Sequence, residues 1–561
     1  MPYSMNKLPP ANTNQWLFIF IALAVLLNLS GLFITIIAPD GALYAGIAKN
    51  MVLHHNYISL FAEGRDWLDK PHFPFWIIAL FFNCFGFTTW AYKLPAIIFL
   101  LIGARYTYLF TKYLYNVQIA LWAVLILLTA QHIIISNNDV RAEPYLTGLI
   151  IASVYHFYRS YTAKNWWHLL FGCVFAACAV MTKGMFALIP IGGAIAGELI
   201  FKKQWKELFN IRWLVAIVLI LVFILPEIYC LYQQFDLHPE KVVFGHSKVS
   251  GIRFFFWDSQ FGRFFNTGPI KGHGDPIFFI HTTLWAFLPW SLLLFAAIFQ
   301  YIKKYGIQAQ QAEWYCICGS LLTFLVFSAS RFQLPFYLNI VYPFFAIITA
   351  QYLCSVSTAK SVAAIRVTQL IVITLMMLLI LVLQFFFRPE TMTWPTGLIL
   401  AALFVAMLLL PARITVISYQ KTAVTTFLAA CIVNLYLNLA FYPSLLKYQS
   451  GSEAAMWINQ NNPQKLGVVQ CIHTNDYGYP LEFYLNQPLY TINANGEGAL
   501  PQKPFLLYGY PENIDALKAK GWQIDMLKTF DRYWITRLKP AFLNQKTRAQ
   551  TLEHVEVVVV R

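Results

Sequence analysis

The chain has 561 residues, 58% hydrophobic and 17% aromatic, with only 12% charged, against roughly 25% charged in an ordinary soluble domain. That composition excludes a water-soluble globule and describes a polytopic membrane protein. The formal net charge of +15 is then a topology signal, with attraction to anionic lipid headgroups as a secondary effect, and it gives no support to nucleic acid as a partner.

Apolar runs of the ~17–25 residues that cross a ~30 Å hydrocarbon core recur at 15–37, 91–111, 117–136, 144–158, 166–181, 185–201, 213–234, 277–300, 314–329, 334–353, 367–387, 394–411 and 422–442. About thirteen transmembrane helices are therefore predicted. The first run is too long for a signal-peptide core and lacks a small-residue cleavage site, so it stays as an anchor. Residues 73–86 are apolar but short, which suits an interfacial helix in a first outer loop, 38–90. A second, long loop covers 235–276. With an odd span count and a cytoplasmic N-terminus, Lys112, Arg159, Lys202, Lys203, Lys303, Lys304, Arg366 and Arg413 fall in inner connections. Asp40, Asp66, Asp69, Asp139, Glu143, Asp236, Asp258 and Asp275 fall on the opposite side, as the positive-inside bias requires.

Past Tyr442-Pro443 the composition changes. Short β-rich runs such as Leu466–Gln470, Phe505–Tyr508 and Tyr533–Thr536 alternate with helical stretches, so 444–561 is a small α/β domain after a membrane domain of 1–443. Nine cysteines show no metal or disulfide spacing. Cys316-x-Cys318 lies in an apolar helix, where its two thiols face different sides.

Polar residues come in short packets at the outer ends of the spans. The first is Pro39-Asp40-Gly41-Ala42-Leu43-Tyr44-Ala45-Gly46, followed by Asp69-Lys70-Pro71-His72-Phe73-Pro74-Phe75-Trp76. Charges held where a chain leaves lipid are functional candidates, although Asp40 could equally cap a surface helix. Ser136–Pro144 carries Asp139, Arg141 and Glu143 between two apolar runs; an ordinary turn into a Pro-started helix explains it as well. Met181-Thr182-Lys183-Gly184 leaves one lysine with almost no loop, either snorkelling or binding an acidic group. The long loop has Arg263-Phe264 and His273 among aromatic residues that suit a headgroup region. Last comes Ser330-Arg331-Phe332-Gln333-Leu334-Pro335-Phe336-Tyr337.

In this order the packets resemble the polyprenyl-phosphate-dependent glycosyltransferases of the protein O-mannosyltransferase type, which include the lipid A aminoarabinose transferases and have the GT-C fold. Asp40, Tyr44, Ala45, Asp69, Lys70, Pro71 and Trp76 match the family's first-loop motif, Glu143 its acidic helix start with Asp139 as runner-up, and Met181–Gly184 its Thr-Lys-Gly. The Arg263 and His273 spacing and the Arg331–Tyr337 segment also match. Two acidic positions are Gly41 and Gly46 here, and an arginine is Leu43.

The resemblance implies an inverting transferase in the cell inner membrane, N-terminus cytoplasmic and C-terminal domain periplasmic. It would move a sugar from undecaprenyl phosphate to an envelope acceptor, most simply lipid A or lipopolysaccharide. Asp40 and Glu143 are the catalytic candidates. Lys70, Arg331, Tyr337, Lys183, Arg263, His273 and Asp69 are the candidates for the donor phosphate and lipid, with Arg331 the first choice because a guanidinium grips phosphate through two parallel bonds. No cofactor is required by this chemistry, and a divalent metal on Asp40, Glu143 and Asp139 stays open. The alternatives are a protein O-mannosyltransferase-like enzyme, an O-antigen-ligase-like transferase and a lipid-linked sugar flippase.

Overall fold

The computed structural model describes residues 15–306, 310, 312–414, 418–473 and 478–561. The segment before Gln15, read above as the cytoplasmic start, lies outside the described residues. Each predicted apolar run falls on helix. Among the described residues seven helices are long and apolar enough to cross a membrane on their own, or eight with one bent pair, and several shorter apolar helices accompany them.

Three runs differ in form from the simple span. The first helix, α1 (Gln15–Leu29), stops short of residue 37. Lys93 explains how the unwound stretch survives there: its buried ammonium donates to the carbonyls of Gly31 at 3.1 Å and Ile34 at 2.7 Å. The run 117–136 is α5 (Val117–Thr129) and α6 (Gln131–Asn138), bent by 50°. Around that bend Asn28 accepts from Asn137, Asn138 donates to Asn438, and Gln131 and Asn434 exchange two bonds. This buried amide seam fixes the path of the chain into Asp139. The run 277–300 breaks into Phe278–Ala286 and Ser291–Tyr305 around Pro289, because the residue before proline is driven out of helical geometry.

Between the spans, α2 (Asp40–Leu53), a two-residue hairpin of β1 (Phe61–Ala62) and β2 (Arg65–Asp66), and α3 (Phe73–Phe85) make up the first loop. The long α4 (Thr89–Leu114) packs on α7 (Glu143–Thr162) at a crossing where Gly103 meets Gly148. A methyl group on Gly148 would overlap the Phe99 carbonyl oxygen. Gly148→Ala should therefore force the two helices apart and destabilise the protein by about 1–3 kcal/mol. A lowered thermal midpoint in detergent is expected; an unchanged one would show that the helices separate freely.

α8 (Trp166–Lys183) and α9 (Leu188–Phe201) follow, with the later spans behind them. Just ahead of helix Tyr315–Ala329, Glu313 accepts from the Tyr115 hydroxyl at 3.0 Å and the Cys316 amide at 3.2 Å. Burial, reinforced by the negative charge of Glu198, pushes its carboxyl up to about 7. A raised carboxyl pKa means the folded state binds more protons than the unfolded one, so this contribution is complete below the ordinary 4.5 and is lost as pH rises to about 7. Glu313→Gln should remove that loss. Its thermal midpoint relative to the parent should be higher at pH 8 than at pH 5, and a pH-independent difference would reject the assignment.

The C-terminal domain is a five-stranded mixed sheet in the order β4-β3-β5-β7-β6, made of β3 (Val468–Cys471), β4 (Leu489–Ile492), β5 (Phe505–Gly509), β6 (Ile524–Arg532) and β7 (Glu553–Val560). β3 runs parallel to β4 and β5, and β7 pairs antiparallel with β5 and β6. Every residue of β3 and β5 is buried, and β5 accordingly reads as a continuous apolar run while β3 is broken only by the buried Gln470. Helix Tyr479–Tyr484 of this domain seats against α2.

Candidate active site

Asp40 is the first residue of α2, and no side chain caps that helix. Its carboxylate instead pairs with Arg141, which also reaches Asp139 Oδ2 at 2.8 and 3.0 Å. The guanidinium lies 4.3 Å from the centre of the Phe336 ring. Glu143, only 2% exposed, opens α7 and pairs with Lys183 at the end of α8. The Lys183 ammonium stands 3.7 Å over the ring of Tyr337. Each carboxylate the sequence offers for a divalent metal is thus engaged by a protein cation, and no group of three or more metal-type ligands occurs among the described residues.

A second cluster lies beside the first. Asp69 pairs with both Lys70 and Arg263. Burial disfavours its ionised form, but the two cations more than offset this and hold the carboxyl below its ordinary range. Burial and the nearby Arg263 charge lower the Lys70 pKa, with Asp69 opposing. The buried Arg263 Nε has no hydrogen-bond acceptor among the described residues.

Two cavities meet at these side chains. The polar one, about 150 Å³, is lined by Asp40, Tyr44, Arg141, Glu143 and the cation cluster. The other is lined mainly by apolar groups such as Leu146, Leu231, Phe254, Phe327 and Ile340. Asp69, Lys70, Lys183, Arg263 and Tyr337 line both. The arrangement places fixed positive charge where an apolar channel gives way to a carboxylate-bearing chamber, which suits an anionic headgroup joined to an apolar tail.

Of the residues singled out in the sequence, Asp40, Asp69, Lys70, Asp139, Glu143, Lys183, Arg263 and Tyr337 are brought together here. Arg331 and His273 are exposed on adjoining loops and line neither cavity. Arg331 contributes its backbone amide, which donates to Phe264 O at 3.1 Å, close to Arg263.

Sequence reasoning missed the clamp beneath the Asp69-Lys70 turn. Fully buried Glu227 accepts the His72 amide at 2.9 Å and faces His72 Nδ1 at 3.0 Å, while His72 Nε2 donates to the Ile58 carbonyl at 2.8 Å. Gln234 bonds both main-chain groups of Leu60 at 2.9 Å. The signal available in the sequence was a lone carboxylate, Glu227, at the end of an otherwise apolar run.

A family model described as dolichyl-phosphate-mannose-protein mannosyltransferase matches residues 69–230. An uncharacterized protein of Aquifex aeolicus is 23% identical over 87% of this chain and 89% of its own length. An undecaprenyl phosphate-alpha-4-amino-4-deoxy-L-arabinose arabinosyl transferase of Pseudomonas aeruginosa is 25% identical over 54% of this chain and 52% of its own. The match thus spans about half the length of that relative. In fold the chain is similar to the crystal structure of ArnT from Cupriavidus metallidurans bound to undecaprenyl phosphate, with a TM-score of 0.74, 17% identity, and coverage of 97% of this chain and 98% of that one.

Proposed function

We propose that this chain, a glycosyltransferase of the GT-C superfamily, moves a sugar from undecaprenyl phosphate to an envelope acceptor, of the aminoarabinose-to-lipid A type, at the outer face of the inner membrane. The observation that carries this reading is the cation cluster shared by the apolar and the carboxylate-lined cavities. In the reaction the anomeric C–O bond to phosphate breaks as an acceptor oxygen bonds to the same carbon from the opposite face, inverting it. Lys70, Arg263 and Tyr337 stabilise the negative charge gathering on the departing phosphate. Asp40 takes the proton of an acceptor hydroxyl; toward a phosphate acceptor, which has no proton to lose at neutral pH, it orients the nucleophile. Arg141 holds the Asp40 side chain in place, and Lys183 does the same for Glu143.

The test is purified protein with labelled undecaprenyl-phosphate aminoarabinose and an envelope lipid fraction. Label should appear in lipid A. Label in protein would favour the O-mannosyltransferase-like alternative, and movement of the intact lipid across vesicles without transfer would favour a flippase.

This reading puts residues 1–443 in a transmembrane transferase domain and 444–561 outside the cytoplasm, on the same side as loop 38–90. Cysteines introduced at the exposed positions Arg65 and Lys528 should label with an impermeant thiol reagent in intact cells, and one at Lys303 only after permeabilisation. The background must lack the exposed native Cys84. The reverse pattern would overturn the orientation.

A further inference from the structure

The four residues ahead of Pro39 belong to neither helix nor strand, so their backbone groups need partners from elsewhere. The C-terminal domain side of the molecule supplies them. Gln449, 7% exposed, accepts the Ala38 amide on Oε1 at 2.9 Å and donates from Nε2 to the Ile36 carbonyl at 3.0 Å. One side-chain amide thereby grips the main chain twice, within four residues of Asp40. The Tyr484 hydroxyl accepts the Ile36 amide at 2.9 Å and is tied to Thr89 Oγ1 at 2.9 Å. At the other end of α2, Lys49 donates to the carbonyls of Glu482, Phe483 and Leu485 at 3.0, 2.9 and 2.7 Å, and Asn50 donates to Glu482 Oε1 at 3.1 Å. The 449–485 segment therefore holds the helix that carries Asp40 from both ends.

We propose that the C-terminal domain acts as a splint for the reaction centre, with Gln449 and Tyr484 as positioning residues that fix where Asp40 sits. The proposal rests on the function given above. Simple docking could use any complementary surface. Here the bonds are spent on the unsupported backbone that delivers one side chain, and a displacement of about 1 Å there can cost on the order of 10²-fold in rate. Gln449 and Tyr484 touch neither of the two cavities of the site, so their loss acts on geometry and leaves the phosphate contacts intact.

The experiment compares Gln449→Ala, Gln449→Glu and Tyr484→Phe with the parent and with Asp40→Asn in the full-length detergent-solubilised protein. It measures turnover with labelled undecaprenyl-phosphate aminoarabinose, binding of undecaprenyl phosphate, and deuterium uptake in peptides spanning 30–43. Gln449→Ala should lose at least tenfold in kcat with donor KM and undecaprenyl phosphate binding within about twofold, and uptake around Ile36–Ala38 should rise. Gln449→Glu keeps the acceptor for Ala38 but not the donor to Ile36, and should fall between. Tyr484→Phe, which deletes one hydroxyl, covers the case in which Gln449→Ala does not fold. Full turnover in Gln449→Ala and Tyr484→Phe beside an inactive Asp40→Asn would overturn the splint alone. Full turnover in Asp40→Asn would remove the catalytic reading beneath it.

Discussion

Asp40→Asn should lower turnover by a factor of about 10²–10⁴, the usual consequence of losing a general base, while the protein stays folded in the membrane. Asparagine keeps the volume of the side chain and would serve equally well at a helix N-terminus, so a purely structural Asp40 predicts near-normal activity. The structure sharpens the contrast, because Asp40 makes no cap bond and directs its carboxylate to Arg141. The amide can still accept one bond from the guanidinium, and Arg141 keeps Asp139 as a partner. What disappears is the negative charge and the proton acceptor. Activity should be read with saturating undecaprenyl-phosphate sugar, so that weakened binding cannot imitate the loss. Turnover within a few-fold of the parent would reject Asp40 as the base and shift the catalytic role to Glu143, another carboxylate lining the chamber.

Removing the cations proposed to face the donor phosphate should act on a different parameter. Arg263→Ala and Lys70→Met should each lower kcat/KM for the lipid donor by about 10–150-fold, as expected for losing a charge-assisted hydrogen bond worth ~1.5–3 kcal/mol. Arg263→Lys keeps the charge but not the fork and should fall between. The guanidinium matters because its Nε proton is buried without an acceptor among the described residues, a donor that a phosphate oxygen would satisfy. Arg331→Ala is the control that separates sequence pattern from geometry: its side chain is exposed and outside both cavities, so its loss should be several-fold at most. Equal losses at 263 and 331 would mean that the long loop rearranges around the donor and carries Arg331 inward.

The two sets of variants also separate two sources of catalysis. In the proposed mechanism Asp40 concerns the attacking oxygen, while Lys70 and Arg263 concern the leaving oxygen. Undecaprenyl phosphate binding should weaken in the second set and not in the first.

Much of this architecture was legible in the chain because hydrophobic length is a local property. A run of ~20 apolar residues must find lipid or protein wherever it falls, so the positions of the membrane helices, the short apolar helix Phe73–Phe85 and the change of composition after Pro443 need no knowledge of tertiary contacts. The polar packets were visible for the same reason, since charges are costly everywhere else in such a chain. Which charges meet is decided by helix crossings that leave no local trace. Asp40 meets Arg141 across 101 positions and Asp69 meets Arg263 across 194. Arg263 and Arg331 look alike in sequence, each followed by a phenylalanine between apolar runs, yet of the two only Arg263 lines the cavities. Glu227 beneath His72, and Gln449 beside Ile36 and Ala38, were beyond reach for the same reason. A buried carboxylate or amide is stabilised by whatever hydrogen-bond partners the fold delivers to it, and those partners lie 155 and 411 to 413 positions away. Composition and spacing thus determined that this chain is a many-span membrane protein with its charges gathered at the ends of apolar runs, and only the packing of distant segments decided which side chains share one chamber.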